Sequence, residues 1–282
     1  MAMSQTRPDE AARREYWRTS LENAWEFMQQ LYRLPLEESS EEMVSLEAAA
    51  HDARLEVTFS SRPHAEGSRR IFFLRRGLIE GFLGVAAEMN RRGWVLHVED
   101  AFRTPAMQRG LWLAKSTFDT VLAKTRWELG GAAPDEALLQ RRLSAVVAAC
   151  PRIGGHLSGA AVDVSVFRRA GRAELDRGRP YIELSELTPM NCPFLTPEQA
   201  ANRKAITEVF ERLGFAAYPW EFWHYSRGDL QEAALHRTGK PARYGPVSFD
   251  PATGRVKPVE NALEPFVPLA EIRRKIAEAM AA

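Results

Sequence analysis

Residues 154–167 read Gly154-Gly155-His156-Leu157-Ser158-Gly159-Ala160-Ala161-Val162-Asp163-Val164-Ser165-Val166-Phe167, a glycine-punctuated loop running into an alternating segment. From Ala160 to Phe167, Val162, Val164 and Val166 fall on one side and Ala161, Asp163 and Ser165 on the other. That is the period of two expected of a strand packed on one face. Asp163 therefore points away from the valine face. Glycines at 154, 155 and 159 permit a sharp turn that brings His156 back towards Asp163. A second run, Glu221-Phe222-Trp223-His224-Tyr225, follows the turn signal Tyr218-Pro219 and reads as a short buried strand. On a regular strand Glu221 and His224 face opposite sides, so a bend or bulge is needed if both serve one site.

The residue types in these two runs suit a metal. A catalytic zinc takes three protein ligands from His, Asp, Glu or Cys and keeps a fourth position open for water. His156, Asp163 and His224 meet that count. A carboxylate held just outside the metal shell then removes the proton from water, and Glu221 is the candidate. A lone His followed by an Asp seven residues later is usually coincidence, so the pair needs the company of Glu221 and His224.

The spacing His-x6-Asp with a later Glu-x2-His resembles the zinc D-alanyl-D-alanine peptidases, whose pattern is Ser-x-His-x2-Gly-x-Ala-x-Asp followed by Glu-x-Trp-His. The chain matches at His156, Gly159, Ala161, Asp163, Glu221, Trp223 and His224, with Gly154 in place of the serine. Upstream, Glu99-Asp100-Ala101-Phe102-Arg103-Thr104-Pro105 is similar to the family's Asp-Ala-Tyr-Arg-Pro segment, with Phe102 for tyrosine and Thr104 inserted. Similarity to the dipeptidase (VanX-type) branch runs from about Leu46 to about Gly228. It implies one Zn2+ per chain held by His156, Asp163 and His224, with Glu221 as general base and acid and Arg103 polarising the scissile carbonyl. A guanidinium suits that last role on chemical grounds, being always charged and rigidly forked. Arg103 as a surface charge or an ion-pair partner of Asp100 is the plainer alternative.

A departure from the branch bears on substrate. Its Gly-x-Pro-Phe-Asp segment supplies an aspartate for the substrate's amino group, whereas this chain reads Gly178-Arg179-Pro180-Tyr181-Ile182-Glu183. Either Glu183 takes over the amine, or the pocket accepts a substrate whose amino end is blocked, extended or different. Glu183, Tyr181 and Gly154 are the candidate substrate-binding residues.

Composition excludes several functional classes. Against 38 Lys and Arg stand 37 Asp and Glu, a formal charge of +1, so no basic excess calls for nucleic acid. No uninterrupted apolar run of about 18 residues is present to span a membrane. Residues 1–10 lack an apolar h-region, and a cytoplasmic protein is expected. Cys150 and Cys192 make no disulfide framework; both read as small buried hydrophobes. His97, inside the alternating run Trp94 to Glu99, reads as a structural histidine.

The remaining sequence suggests one α+β domain: a small, largely antiparallel sheet flanked by helices, a single catalytic zinc site, and extra helical segments at both ends. Residues 46–228 form the expected zinc peptidase domain, 1–45 an N-terminal helical extension packed on it, and 229–282 a C-terminal extension. Helices are predicted over Asp9 to Leu34, Ser40 to Ala50, Leu78 to Arg91, Thr104 to Leu129, Asp135 to Cys150, Thr196 to Leu213 and Pro268 to Met280, with a short one ending near His236. Strands are predicted near Leu55 to Phe59 and over Trp94 to Glu99. The expected activity is hydrolysis of a peptide bond in a short D-amino-acid-containing peptide, D-Ala-D-Ala above all. The alternatives are a carboxypeptidase or endopeptidase of peptidoglycan stems, and a zinc-binding module without catalysis. The expected partner is a small peptide substrate, with no nucleic acid, no membrane and no oligomeric state implied.

Overall fold

The structure, a computed structural model, describes residues 10–65, 67–237 and 239–281. In chain order they form α1 (Glu10–Leu31), β1 (Met43–Ser45), α2 (Leu46–Asp52), β2 (Val57–Phe59), β3 (Phe73–Arg75), α3 (Ile79–Arg91), β4 (Trp94–Asp100), α4 (Pro105–Leu113), α5 (Lys115–Glu128), α6 (Glu136–Val146), β5 (Ala161–Arg168), α7 (Pro197–Arg212), β6 (Ala216–Ala217), β7 (His224–Ser226), α8 (Leu230–Leu235), β8 (Val247–Phe249), β9 (Val256–Pro258) and α9 (Leu269–Ala281). The first residue of the expected N-terminal helix, Asp9, lies outside the described residues. No helix among them is long and apolar enough to cross a membrane.

Five strands make the central sheet in the order β2-β4-β5-β7-β6. Only β2 and β4 run parallel; the other pairs are antiparallel. Val162, Val164 and Val166 of β5 are fully buried in one core with Leu96 and Val98 of β4, Phe82, Val85 and Met89 of α3, and Ile206, Val209 and Phe210 of α7. Burying side chains of this size contributes roughly 1.5–3 kcal/mol each, which fixes the valine face inward and turns Asp163 to the other side. There a second layer gathers Trp112, Phe118, Val121, Leu139, Leu143 and Val147 with Phe266 and Ile276 from the C-terminal segment. Helix α1 adds Phe27, Met28 and Leu31, packed on Ile153, Tyr218 and Leu230.

Several local expectations needed correction. The helix expected from Ser40 begins only at Leu46, because Ser45 caps it, its Oγ accepting from Ala48 N at 3.3 Å. The preceding Met43–Ser45 pairs with β3 instead. The helix expected over Thr104 to Leu129 breaks at Ala114, which is extended (φ −63°, ψ 123°) and divides α4 from α5. No glycine or proline marks that break. By contrast α7 starts where its residues say it should: Thr196 and Gln199 form a reciprocal capping box, with Pro197 in the first turn.

Candidate metal centre

Three neighbouring strands line up the polar residues of the site. Asp163 of β5 sits opposite Asp100 of β4 and opposite His224 of β7. Directly opposed residues on paired strands project from the same face. The pairing of β4 with β5 slips between Val98 and Asp100, a bulge that sets Asp100 rather than Glu99 against Asp163. Glu99 turns aside and accepts the Ser165 hydroxyl at 2.7 Å.

His156 reaches the row from the loop before β5. Gly159 closes that loop in the left-handed region at φ 68°, where a side chain would be strained, and a Cβ there would press on the end of the Met43 side chain. Gly154, at φ −91°, needs no such freedom; a Cβ there would come within 2.6 Å of Leu157 Cδ1. A serine at 154 would need the end of the Leu157 side chain to shift.

The expected strand over Glu221 to Tyr225 is shorter than the sequence suggests. Tyr218 to Trp223 turn, with Glu221 N donating to Tyr218 O at 3.4 Å and His224 N to Glu221 O at 3.1 Å, and regular pairing begins at His224. The alternation of a strand therefore does not apply between Glu221 and His224, and both carboxylate and imidazole face the same point. Glu221 Oε2 lies 3.9 Å from His224 Nδ1.

The ligand atoms available from His156, Asp163 and His224 all lie within 4.8 Å of one another, and all three residues are buried. Asp163 Oδ1 is 3.2 Å from His156 Nε2 and 2.9 Å from His224 Nδ1. Each ring commits its other nitrogen elsewhere: His156 Nδ1 to Ala101 O at 2.5 Å, and His224 Nε2 to Gln231 Oε1 at 2.9 Å. Metal-bound histidines are oriented by hydrogen bonds of this kind, which hold the tautomer as well as the ring. The second carboxylate oxygen, Asp163 Oδ2, accepts from Tyr181 Oη at 3.0 Å and Arg103 Nη2 at 3.2 Å. The donor set fits a zinc ion: two imidazole nitrogens and a carboxylate oxygen, converging and supported from behind.

Most of the protonation states suit that fit, and His224 is the exception, since a bound metal must displace its proton. Burial works against the Asp163 carboxylate, but the neighbouring His156 and His224 rings outweigh it and hold its pKa well below the usual value. Burial lowers His156, and the Arg103 charge lowers it further, so this ring stays neutral and able to ligate. For His224 burial is outweighed by the hydrogen bond and charge of Asp163, which raise its pKa. Burial pushes Glu221 up to about 7, the range suited to taking and returning a proton. Tyr181, raised well above its usual value by burial and by the charge of Asp163, remains a donor.

Arg103 is neither a surface charge nor a free one. Its Nε donates to Asp100 Oδ2 at 2.8 Å, and Arg70 Nη1 lies at the same distance from that oxygen. Arg103 nevertheless lines the cavity beside His156, Asp163, Glu221 and His224. With one donor on Asp100, one on Asp163 and a longer contact of 3.4 Å to Gln108, it still has N–H groups to offer a ligand.

Of the three candidate substrate-binding residues, Tyr181 and Gly154 line the cavity, and Glu183 is not among its lining residues. Glu183 instead pairs with Arg179 at 3.0 Å, both side chains exposed. Gln231 and Arg70 were not singled out from the sequence, since no motif spacing ties them to the histidines, and Asp100 entered there only within the Arg103 segment and as the ion-pair partner that the structure shows it to be. His97 is a strand residue bonded to Thr58 at 2.8 Å, and both cysteines are buried and unpaired.

Two buried histidines and an aspartate form a cluster that could hold one metal ion, with a carboxylate and a guanidinium in the same cavity. Residues 39–239, more than half of the chain, match the family model of the M15 peptidases, described as D-ala-D-ala dipeptidase. The chain belongs to this family of metallopeptidases, whose members depend on a metal, typically zinc. A comparison with curated proteins gave no match.

Proposed function

We propose that the protein is a zinc-dependent hydrolase of a peptide bond in short D-amino-acid-containing peptides, akin to the D-Ala-D-Ala dipeptidases of the VanX-type branch. The observation that carries this reading is the convergence of His156 Nε2, Asp163 Oδ1 and His224 Nδ1 in one cavity with Glu221 and Arg103.

His156, Asp163 and His224 would hold the zinc, which supplies Lewis-acid activation of water and of a carbonyl when bound. Glu221, beside His224 and in contact with the cavity, takes a proton from the attacking water. The same carboxyl returns that proton to the departing amine nitrogen. Arg103, fixed by Asp100 and Asp163, offers its remaining N–H groups to the oxygen on which negative charge develops. Tyr181 keeps Asp163 in orientation by occupying its second oxygen. The carboxylate and guanidinium disfavour the alternative of a metal module without catalysis, since a purely structural zinc needs neither and closes its fourth position with another ligand.

The test is release of D-alanine by the purified protein, metal-free and after addition of one equivalent of zinc. Zinc-dependent release from a short D-peptide is the expected result. Stoichiometric zinc binding without hydrolysis of any such peptide would refute the assignment.

A further inference from the structure

Ile182 occupies a backbone position that its own chemistry disfavours. Pro180 O accepts from Glu183 N at 3.3 Å, closing a turn in which Ile182 is the third residue, at φ 67°. A turn of that shape calls for glycine or asparagine there, and a β-branched residue with positive φ is a genuine outlier. The side chain gains no burial in return: Ile182 is 57% exposed, among the few large apolar residues left open, and it lines the cavity of the metal centre. The turn also carries Tyr181 onto Asp163. An exposed, strained isoleucine beside a reaction centre points to contact with a ligand.

The charges around the cavity say what that ligand lacks. Among the described residues, three carboxylates line it: Asp163 on the histidines, Asp100 held by Arg70 and Arg103, and Glu221. Three arginines, Arg62, Arg70 and Arg103, line it as well, so a bound divalent zinc leaves the cavity positive. Glu183, near the cavity but not among its lining residues, is turned to Arg179. With Asp100 and Asp163 engaged by arginines and histidines, a substrate ammonium carried in here meets net positive charge and finds only the proposed base, Glu221, as a lining carboxylate without an arginine partner. The rest of the wall is apolar: Leu111, Val121, Val146, Val147 and Leu184 from the helical layer, and Met28 from α1, which precedes the residues matched by the family. At about 440 Å3 the cavity lies within the range used by ligands well above a dipeptide in size.

We infer that Ile182 is a specificity-determining residue, and that the cavity selects peptides whose nitrogen on the amino side of the scissile bond is an amide carrying an uncharged, apolar acyl group. This rests on the proposed peptidase function and departs from it only in the substrate's amino end. Acylation removes the ammonium, and the acyl chain covers the apolar wall that Ile182 begins.

The experiment compares free D-Ala-D-Ala with N-acetyl- and N-butanoyl-D-Ala-D-Ala in the zinc-loaded wild type and in Ile182→Asp and Ile182→Asn. Both replacements tolerate positive φ, so the turn survives, and only the first adds a carboxylate. kcat/KM in the wild type is expected to favour the acylated peptides by about tenfold or more, the scale of one unbalanced charge. Ile182→Asn keeps the discrimination against the ammonium but loses part of the gain from acetyl to butanoyl, whereas Ile182→Asp shifts the ratio towards the free dipeptide by about tenfold. The same order is read without turnover from calorimetric binding to zinc-loaded Glu221→Gln. Preference of the wild type for the free dipeptide, in rate or in binding, overturns the inference and leaves the peptidase assignment standing. Identical ratios in all three proteins overturn the role of Ile182. Failure of every peptide to react, with binding order as expected, sinks the peptidase assignment alone.

Discussion

His224 directs Nε2 at the side-chain oxygen of Gln231, 2.9 Å away, and this leaves Nδ1 as the nitrogen that faces Asp163. An amide oxygen accepts and does not donate, so the contact holds a proton on Nε2 and leaves Nδ1 as the nitrogen a metal would take. Gln231 lies on α8, seven residues beyond the histidine it orients, and itself lines the cavity. Substituting Gln231→Leu removes the acceptor with little change of volume. Zinc affinity should fall by roughly 10–100-fold, measured by competition with a chromophoric chelator. Unchanged affinity would mean that Gln231 does not orient the ring.

Glu221→Gln should separate metal binding from turnover. The amide keeps the shape of the side chain but cannot shuttle a proton. The variant should retain one zinc per chain while losing hydrolysis by about 10²–10⁴-fold. Loss of the metal in this variant would make Glu221 a ligand and not a base.

In the proposed site Arg103 joins Asp163 to the oxygen on which charge would develop, so its replacement should show in two readouts. Arg103→Lys keeps the positive charge but loses the fork that spans Asp100 and Asp163. kcat should drop by about 10²–10³-fold, and zinc affinity should weaken as well, because Asp163 Oδ2 loses one of its two donors. A lysine variant with wild-type kcat would remove Arg103 from the chemistry.

Away from the site, Glu88 ties α3 to itself and to α7, receiving Arg91 and Arg92 at 2.8 Å and Arg212 at 3.4 Å. Hydrogen bonds from Arg91 and Arg92 hold its pKa at about 2, against an ordinary 4.5. A carboxylate with a lowered folded pKa stabilises the protein above the unfolded value and loses that contribution as pH falls towards the folded one. Glu88→Gln should therefore cost stability at pH 7, about 1 kcal/mol or less since Arg91 and Arg212 are solvent-exposed and Arg92 is only partly buried. The difference from wild type should shrink between pH 4.5 and pH 2. Denaturant melts of both proteins across that range check it; a gap independent of pH would assign the effect to packing.

How much could be read before folding differs from residue to residue. The valine alternation of β5 and the capping box of α7 are local, and the sequence states them outright. The break at Ala114 is not legible, since nothing in Leu113-Ala114-Lys115 forbids a helix and only packing of the two segments separates them. The bulge at β4 is likewise silent in the run Val98-Glu99-Asp100, because either acid could oppose Asp163 until the strands pair. Glu183 looked as available as any carboxylate one position from Ile182, and its turn towards Arg179 was invisible to a reading of spacing.

What the sequence determined by itself is the set of residue types: His156, Asp163, Glu221 and His224 are those a hydrolytic zinc site uses, and all four fall within the stretch that matches one family. Their identity and order are properties of the chain. What only the tertiary structure decided is direction. A turn in place of a strand brings Glu221 and His224 to the same point, Gln231 and Ala101 select which ring nitrogens face inward, and a strained turn sets Ile182 at the cavity. Each of these depends on contacts between segments far apart in the chain, whose free energy is settled only when the sheet and the helical layer close on each other.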